Sequence, residues 1–388
     1  MAYGLYLQGS LSYYPNKSPT VLRGPSYPAF VAVLLSVNEQ WYPTIVQVAQ
    51  ALLHACTCLL AYGVAIMLFD PRHALIAGLL TSIHPYLIWY TSKVVTESFA
   101  TFLFTAIVFG VIFVLRHHKP LAIVILGVTL GTAALCRGSF LPLVLLTPLF
   151  MLRALQSQYR WRIASSVLAI ALALISTWTF RNYTLTHRLI PVHSLLGYNL
   201  RAGDVHAEFY EHAPFSYFQL MTFKQLDISF RGDTISHPWL RNSETMIALE
   251  ADNELIERSL KRYAYEPLLV VRKALLGPVM FWTLSSSPAA TVFSSLFQIP
   301  LLIFFIVGGV RAFKLHGVFS NHTIPILLIA TYFLCYIPIL AIARFSVVLV
   351  PTMLLYAVVP FRKDLTNSQS KRTSKGSQLH ELSTPRTL

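Results

Sequence analysis

The sequence predicts an all-α protein, a polytopic bundle of about nine membrane-crossing helices with a mainly helical polar insertion late in the chain. Three observations predict it. Of 388 residues, 55% are hydrophobic and only 12% are charged, and the mean hydropathy is +0.58, more apolar than a water-soluble domain sustains. The apolar residues gather in runs close to the ~20 residues an α-helix needs to cross about 30 Å of hydrocarbon. The basic residues fall in every second gap between those runs, as the positive-inside rule asks of cytoplasmic connections.

Residues 1–42 open with "MAYGLYLQGSLSYYPNKSPTVLRGPSYP", a polar, tyrosine-rich stretch. It lacks the charged start, apolar run and small-residue cleavage site of a secretory signal, and it reads as a first outer loop. Spans follow near 43–69, 73–92, 95–115, 120–136, 139–152 and 162–180, so that 43–180 forms a first membrane block. Arg72, then Arg116 and Lys119, then Arg153, Arg160 and Arg162 mark its cytoplasmic connections. After the polar segment 181–285, a second block, 286–361, carries spans near 290–310, 322–341 and 345–361, with Arg311 and Lys314 in a cytoplasmic joint. The basic tail 362–388 has the composition of a disordered cytoplasmic segment drawn to anionic lipid.

This pattern predicts a multi-pass protein of the cell membrane with its C-terminus in the cytoplasm. It puts residues 1–42, the joints near Lys93, Arg137 and Arg344, and the whole of 181–285 on the outer face. The net charge of +14 is then a consequence of topology, so membrane lipids are expected partners and nucleic acid is not. Cys56, Cys58, Cys136 and Cys335 all lie in apolar runs and read as small hydrophobic residues rather than a disulfide or metal set.

Polar chemistry collects in the outer segment. Eleven of the sixteen Asp and Glu residues lie between Asp204 and Glu266, and five of the thirteen His between His187 and His237. "ALEADNELIERSLKRYAYEP" reads as a helix with early acids and late bases that suit its dipole, and Ile256, Leu260 and Tyr263 as its apolar stripe. His206 and His212 have no companion ligands at a metal-binding spacing, so no metal site is assigned.

More informative are three charges at the outer ends of spans, since an ionisable group at membrane depth is costly and by default functional. Glu97 in "WYTSKVVTESFATF", Arg137 in "ALCRGSFLP" and Arg344 in "LAIARFSVVLVP" all map to one side. Guanidinium groups beside a lipid surface suit a lipid-linked phosphate, whose oxygens they match in pairs. The alternative is that the arginines snorkel, or pair with Glu97 to hold helices together.

With these residues in view, "LRGPSYPAFVAVL", "LIAGLLTSIHPYLIWYTSKVVTESFATFLF", "LGVTLGTAALCRGSFLPLVLL", "STWTFRNYTLTHRLIPVHSLLGYNL" and "ARFSVVLVPTMLLY" resemble, in order, successive blocks of the GT-C glycosyltransferases. The likeness is to the family 39, dolichyl-phosphate-mannose-protein mannosyltransferase-like, type. "RGPSYP" resembles the family's Arg-x-Pro-Gly-Tyr-Pro turn, matching Arg23, Pro25, Tyr27 and Pro28, with Ser26 where Gly is usual. Glu97 falls on the family's Thr-Glu block, Arg137 on its Thr-Arg-Pro block without the proline, Arg181 and Asn182 on its Arg-Asn, and Arg344 on its late Arg-Tyr, here Arg-Phe. The resemblance implies transfer of a sugar from a polyprenyl-phosphate carrier to a protein, lipid or glycan acceptor on the outer face. No nucleotide sugar is implied, and a divalent metal is left open because members of the superfamily differ on it.

In such a reaction an acid orients or deprotonates the acceptor while arginines stabilise the departing lipid phosphate. The resemblance places that acid as an Asp just after a first transmembrane helix. Neither is in this sequence, which enters the first block part-way, and an N-terminus on the outer face lacks a span to carry it there. The expectation is therefore an upstream start, with Glu97 the only substitute carboxylate if the chain is shorter than its relatives. Two rival functions stay open, an inactive relative that binds lipid-linked sugar as a scaffold and a secondary transporter. The second fits less well, because no internal repeat is present.

Overall fold

The computed structural model describes residues 1–12, 18–212, 245–285, 288–339 and 341–359, and among them every regular element is helical. The predicted tail 362–388 and part of the 181–285 segment, 213–244, lie outside the described residues.

Two short helices, α1 (Ala2–Gln8) and α2 (Ser26–Leu35), precede α3 (Tyr42–Leu68). Then come α4 (Pro71–Ile83), α5 (Pro85–Thr91), α6 (Glu97–His117), α7 (Pro120–Cys136), a 3₁₀ turn (Gly138–Phe140), α8 (Leu141–Ala154) and α9 (Arg160–Thr186). The polar segment supplies α10 (Leu196–His212), α11 (Thr245–Tyr265) and α12 (Pro267–Thr283). The chain closes with α13 (Pro288–His316), α14 (Ile324–Leu334), α15 (Ala343–Ser346), a second 3₁₀ turn (Val347–Leu349) and α16 (Val350–Ala357).

Proline begins many of these helices, at Pro71, Pro85, Pro120 and Pro267 among others. Its fixed φ suits the first turn, and the amide it lacks would have had no partner there. Asp70 caps α4 by accepting from the His73 amide at 3.0 Å. At the far ends, His118 and His187 take left-handed conformations, φ 52° and 53°, and stop α6 and α9.

Each of the nine predicted spans falls on helix, but four helices are long and apolar enough to cross a membrane by themselves: Tyr42–Leu68, Glu97–His117, Arg160–Thr186 and Ala289–His316. The run near 73–92 is divided at His84, where Pro85 forces the preceding residue out of helical geometry, to ψ 115°. The run near 322–341 ends its regular helix at Leu334, and the last run is built of α15, a 3₁₀ turn and α16 rather than one helix.

Helix α6 is central to the first block: α3 and α7 pack on it, α9 packs on α7 and α8, and the last 3₁₀ turn also packs on α6. Its core positions Phe104, Ile107, Val108, Val111 and Ile112 are fully buried. Helices α7 and α9 approach closely because Gly127 and Gly131 lie one turn apart on the shared face. A Cβ at Gly127 would come within 2.8 Å of Ile170, and one at Gly131 within 3.0 Å of Leu174. Small residues spaced this way let membrane helices pack by van der Waals contact where no hydrophobic drive separates lipid from protein.

The polar segment folds as a small helical layer, with α10 against α11 and α12, and α12 in turn against α13 and α15. The stripe expected on α11 differs from the one observed. Leu260 is 57% exposed, and the inward face carries Leu249, Asp252, Leu255 and Ser259. Polar partners decide this rotation: Asp252 accepts from the Tyr198 amide and from Ser194 Oγ, both at 3.0 Å, and Ser259 donates to Asp204 at 3.1 Å. The four cysteines are free, with Cys136 buried and Cys56 exposed on α3.

Candidate functional site

Glu97 is the first residue of α6, and its side chain is fully buried. Such a carboxylate is sustainable only with charged partners, and the fold brings two of them from distant blocks. Arg137 stands where α7 ends in extended backbone, φ −146° and ψ 132°. It donates Nη2 to Glu97 Oε1 at 2.5 Å and Nε to Thr96 Oγ1 at 3.1 Å. Arg344, on α15, donates Nη2 to Glu97 Oε2 at 3.0 Å and Nε to Oε1. The three charges that the sequence placed on one side therefore form one cluster.

The two arginines are not equivalent. The Arg137 side chain is 11% exposed and that of Arg344 37%. Arg137 Nη1 is buried without a hydrogen-bond acceptor among the described residues, a donor in excess of what the carboxylate takes up. The two arginine-bearing segments are tied by an aromatic bridge. Phe345 stacks on Tyr336 at 4.7 Å between ring centres, Tyr336 donates to Ser139 Oγ at 2.9 Å, and the Arg137 guanidinium lies 5.4 Å from the Phe345 ring.

Tyr27 flanks this cluster. It is buried, its ring lies 6.1 Å from that of Phe99, and its hydroxyl donates to Gln50 Oε1 at 3.1 Å. Gln50 Nε2 holds the carbonyls of Lys93 and Thr91, at 2.7 and 3.1 Å, and so fixes the approach to α6. Arg23 is exposed on the preceding turn. Gly24 beside it touches the end of α7 so closely that a Cβ would stand 2.1 Å from the Leu135 carbonyl oxygen, and Ser26 Oγ donates to the Thr132 carbonyl at 2.9 Å. The "RGPSYP" turn is thereby seated on α7 one turn before Arg137.

Arg181 and Asn182 do not join the cluster. Arg181 donates to the Thr20 carbonyl at 2.8 Å and lies 4.6 Å from the Trp178 ring, and buried Asn182 donates to the carbonyls of Ile190 and Val192 at 2.9 and 3.2 Å. They fasten the end of α9 to two loops. Sequence reasoning gave no role to His193, which lies in one of those loops. Its Nε2 accepts from the Gly138 amide at 3.2 Å, next to Arg137. Burial, reinforced by the charge of Arg23, lowers its pKa to about 4, so the ring is neutral at pH 7 and able to accept that bond. No three His, Cys, Asp or Glu side chains come together as metal ligands among the described residues. The side chains of His206 and His212 lie outside them.

Comparison with known proteins bears on this arrangement. A family model described as dolichyl-phosphate-mannose-protein mannosyltransferase matches residues 23–180, a stretch that includes Arg23, Tyr27, Glu97 and Arg137. No curated protein matches. Among solved structures, the archaeal oligosaccharyltransferase AglB from Archaeoglobus fulgidus, in complex with an inhibitory peptide and a dolichol-phosphate, is 14% identical with a TM-score of 0.52, over 97% of this chain and 46% of that one. The apo oligosaccharyltransferase of the same organism gives 14% and 0.53, over 94% and 45%. ArnT from Cupriavidus metallidurans, in the apo state, is 14% identical over 92% of this chain and 71% of that one, with a TM-score of 0.37. The chain spans less than half the length of the oligosaccharyltransferase. It shares the all-helical fold of that enzyme, and four of its helices are long and apolar enough to cross a membrane.

Proposed function

We propose that the chain is a membrane glycosyltransferase of the family 39 type, which moves a sugar from a polyprenyl-phosphate donor to a protein, lipid or glycan acceptor on the outer face. The observation that carries this reading is the convergence of Arg137 and Arg344 on buried Glu97. Two guanidiniums at the end of membrane helices supply planar donors for a phosphate whose charge grows as the sugar leaves. The matched family and the dolichol-phosphate held by the oligosaccharyltransferase of similar fold support the same donor chemistry.

Exposure divides the labour within the cluster. Arg344 is the one accessible enough to exchange Glu97 for a phosphate oxygen, and Arg137, with a donor to spare, keeps the carboxylate in place while that exchange occurs. Arg23 and Tyr27 lie on the donor approach, and Arg181 and Asn182 act through the loops they fasten. A second reading has one observation in its favour: both oxygens of Glu97 are taken by arginines, which suits a carboxylate that organises the site better than one that accepts the acceptor's proton. Under that reading the chain binds lipid-linked sugar without turnover.

Arg344→Lys is the test, because an ammonium keeps the charge and loses the paired geometry. Binding of farnesyl phosphate, a short polyprenyl phosphate, to the purified chain should weaken about tenfold, the effect of losing roughly one charge-assisted hydrogen bond. Equal affinity in the variant and the parent would remove Arg344 from the site. If binding falls as expected, Glu97→Gln separates the two readings: loss of transfer with binding retained supports catalysis, and loss of both supports the organising role.

A further inference from the structure

The peptide plane that follows Arg137 is fixed from outside its own turn. Arg137 donates its amide to the Ala133 carbonyl and its carbonyl accepts from the Phe140 amide, both at 3.0 Å. The next amide, that of Gly138, opens a 3₁₀ turn, and the first amides of a helical turn have no acceptor within it. In a continuing α-helix this amide would go to the carbonyl four residues back, that of Ala134. It donates instead to His193 Nε2 at 3.2 Å, a partner 55 residues away. Arg137 is left extended, φ −146° and ψ 132°. Continuing α7 would turn φ by about 80° and swing the Arg137 Cβ with it.

The loop that presents His193 is held on both sides. Trp178 Nε1 and Asn182 Nδ2 donate to the Val192 carbonyl at 3.0 and 3.2 Å, and the Ser194 amide donates to the Val21 carbonyl at 3.0 Å. Because Nε2 accepts, the ring proton is on Nδ1, and Nδ1 is buried without an acceptor among the described residues. A side chain that only filled this space would do so without the cost of a covered, unpaired donor.

We propose that His193 is a positioning residue for the donor site: by taking the Gly138 amide it keeps Arg137 out of the α7 geometry and aims the guanidinium at Glu97. This rests on the donor reading of Arg137, and it gives Asn182 a route to the site through Val192 and its neighbour. Proline at position 138 would fix the same backbone by other means. It has no amide with which to extend α7, and Arg137 already has the extended conformation that a following proline imposes. The obstacle is His193 itself, since the three atoms nearest a Cβ at Gly138 all belong to that ring, at 3.2, 3.4 and 4.0 Å.

Two measurements on the full chain test the proposal: binding of farnesyl phosphate, and the side-chain Nε resonance of Arg137 in protein labelled with isotopic arginine, assigned through Arg137→Lys. His193→Ala should weaken binding about fivefold, the effect of one lost hydrogen bond, and should move the Arg137 resonance in the ligand-free chain. His193→Gln keeps an acceptor and should bind within about twofold of the parent. The paired variant His193→Ala with Gly138→Pro should recover the resonance and bind within about twofold of the parent. A role confined to stability would lower the thermal midpoint of His193→Ala without any recovery of binding by proline. An Arg137 resonance unmoved by His193→Ala, or a paired variant no closer to the parent than His193→Ala, would overturn the proposal. A resonance that moves and returns as expected in a chain whose parent never binds farnesyl phosphate would uphold the positioning of Arg137 and remove the donor reading instead.

Discussion

The protein buries two carboxylates beside basic partners, and they differ in what a ligand can reach. Glu97 is fully covered, yet one of its two partners, Arg344, is 37% exposed. Asp204 and Lys273 are 1% and 5% exposed, and each is further engaged by Tyr263. Burial shifts Tyr263 as well, since loss of solvent and then its bond to Asp204 raise the phenol's pKa. In one cluster both charged partners are almost fully covered. The other has an accessible member whose partner can be exchanged without exposing the carboxylate, because Arg137 remains. The proposed binding role thus goes with incomplete burial of a charge network, and the structural role with near-complete burial.

The most severe way to break this comparison is Lys273→Ala. It removes the ammonium 2.6 Å from Asp204, and removing one partner of a buried pair costs about 3–5 kcal/mol. Thermal unfolding should show a large drop. Arg344→Ala, which leaves Arg137 on Glu97, should cost about half as much or less, close to a charge-assisted hydrogen bond at about 1.5–3 kcal/mol. Equal losses would erase the distinction between the closed and the open cluster.

A smaller effect sharpens it through pH. His193 has a folded pKa near 4 against an unfolded value of about 6.5. Between those values the unfolded chain binds the proton and the native chain does not, so stability falls as the solution is acidified from about pH 6.5 and the loss is complete near pH 4. Its size is at most about 3 kcal/mol. His193→Gln, which keeps an acceptor for the Gly138 amide, should flatten the slope of the unfolding midpoint against pH in that window. An unchanged slope would show that His193 does not titrate in this way.

The smallest effect is expected on the solvent side. Glu254→Gln removes an exposed i,i+4 ion pair with Arg258 and should change stability by no more than about 0.5 kcal/mol. A loss of several kcal/mol would mean that this pair is structural, contrary to its exposure.

The apolar runs were legible because hydropathy over ~20 residues is a strong local signal, and among the described residues each run contains helix, although four helices are long and apolar enough to cross a membrane. The division at His84 was legible in principle from Pro85, but a run of apolar side chains on both sides of a proline masks it. The face of α11 was misjudged since the periodicity of Ile256, Leu260 and Tyr263 records apolarity alone, whereas the buried positions are set by Asp252 accepting from Ser194 and Tyr198 and by Ser259 donating to Asp204, on α10 and the loop before it. Alternation of charge brought Glu97, Arg137 and Arg344 to one side without giving their contacts. The pair Asp204–Lys273, 69 residues apart, left no trace, because pairing between elements has no sequence period. Lys273 within "PLLVVRKALLGPV" was the available hint, a charge in an apolar run. His193 gave none, as its role comes from one backbone amide across a loop.

The seam between α7 and α9, closed by Gly127 and Gly131, has a mechanical corollary. Because a methyl group would not fit between these helices, they resist sliding, and Arg137 at the end of α7 inherits a fixed position. Arg344 stands instead on a four-residue helix between extended Ile342 and a 3₁₀ turn, held at its start by the Ala343 amide donating to the Leu284 carbonyl at 2.7 Å. The two arginines thus stand on frames of different build, Arg137 at the end of a close-packed helix pair and Arg344 on a four-residue helix.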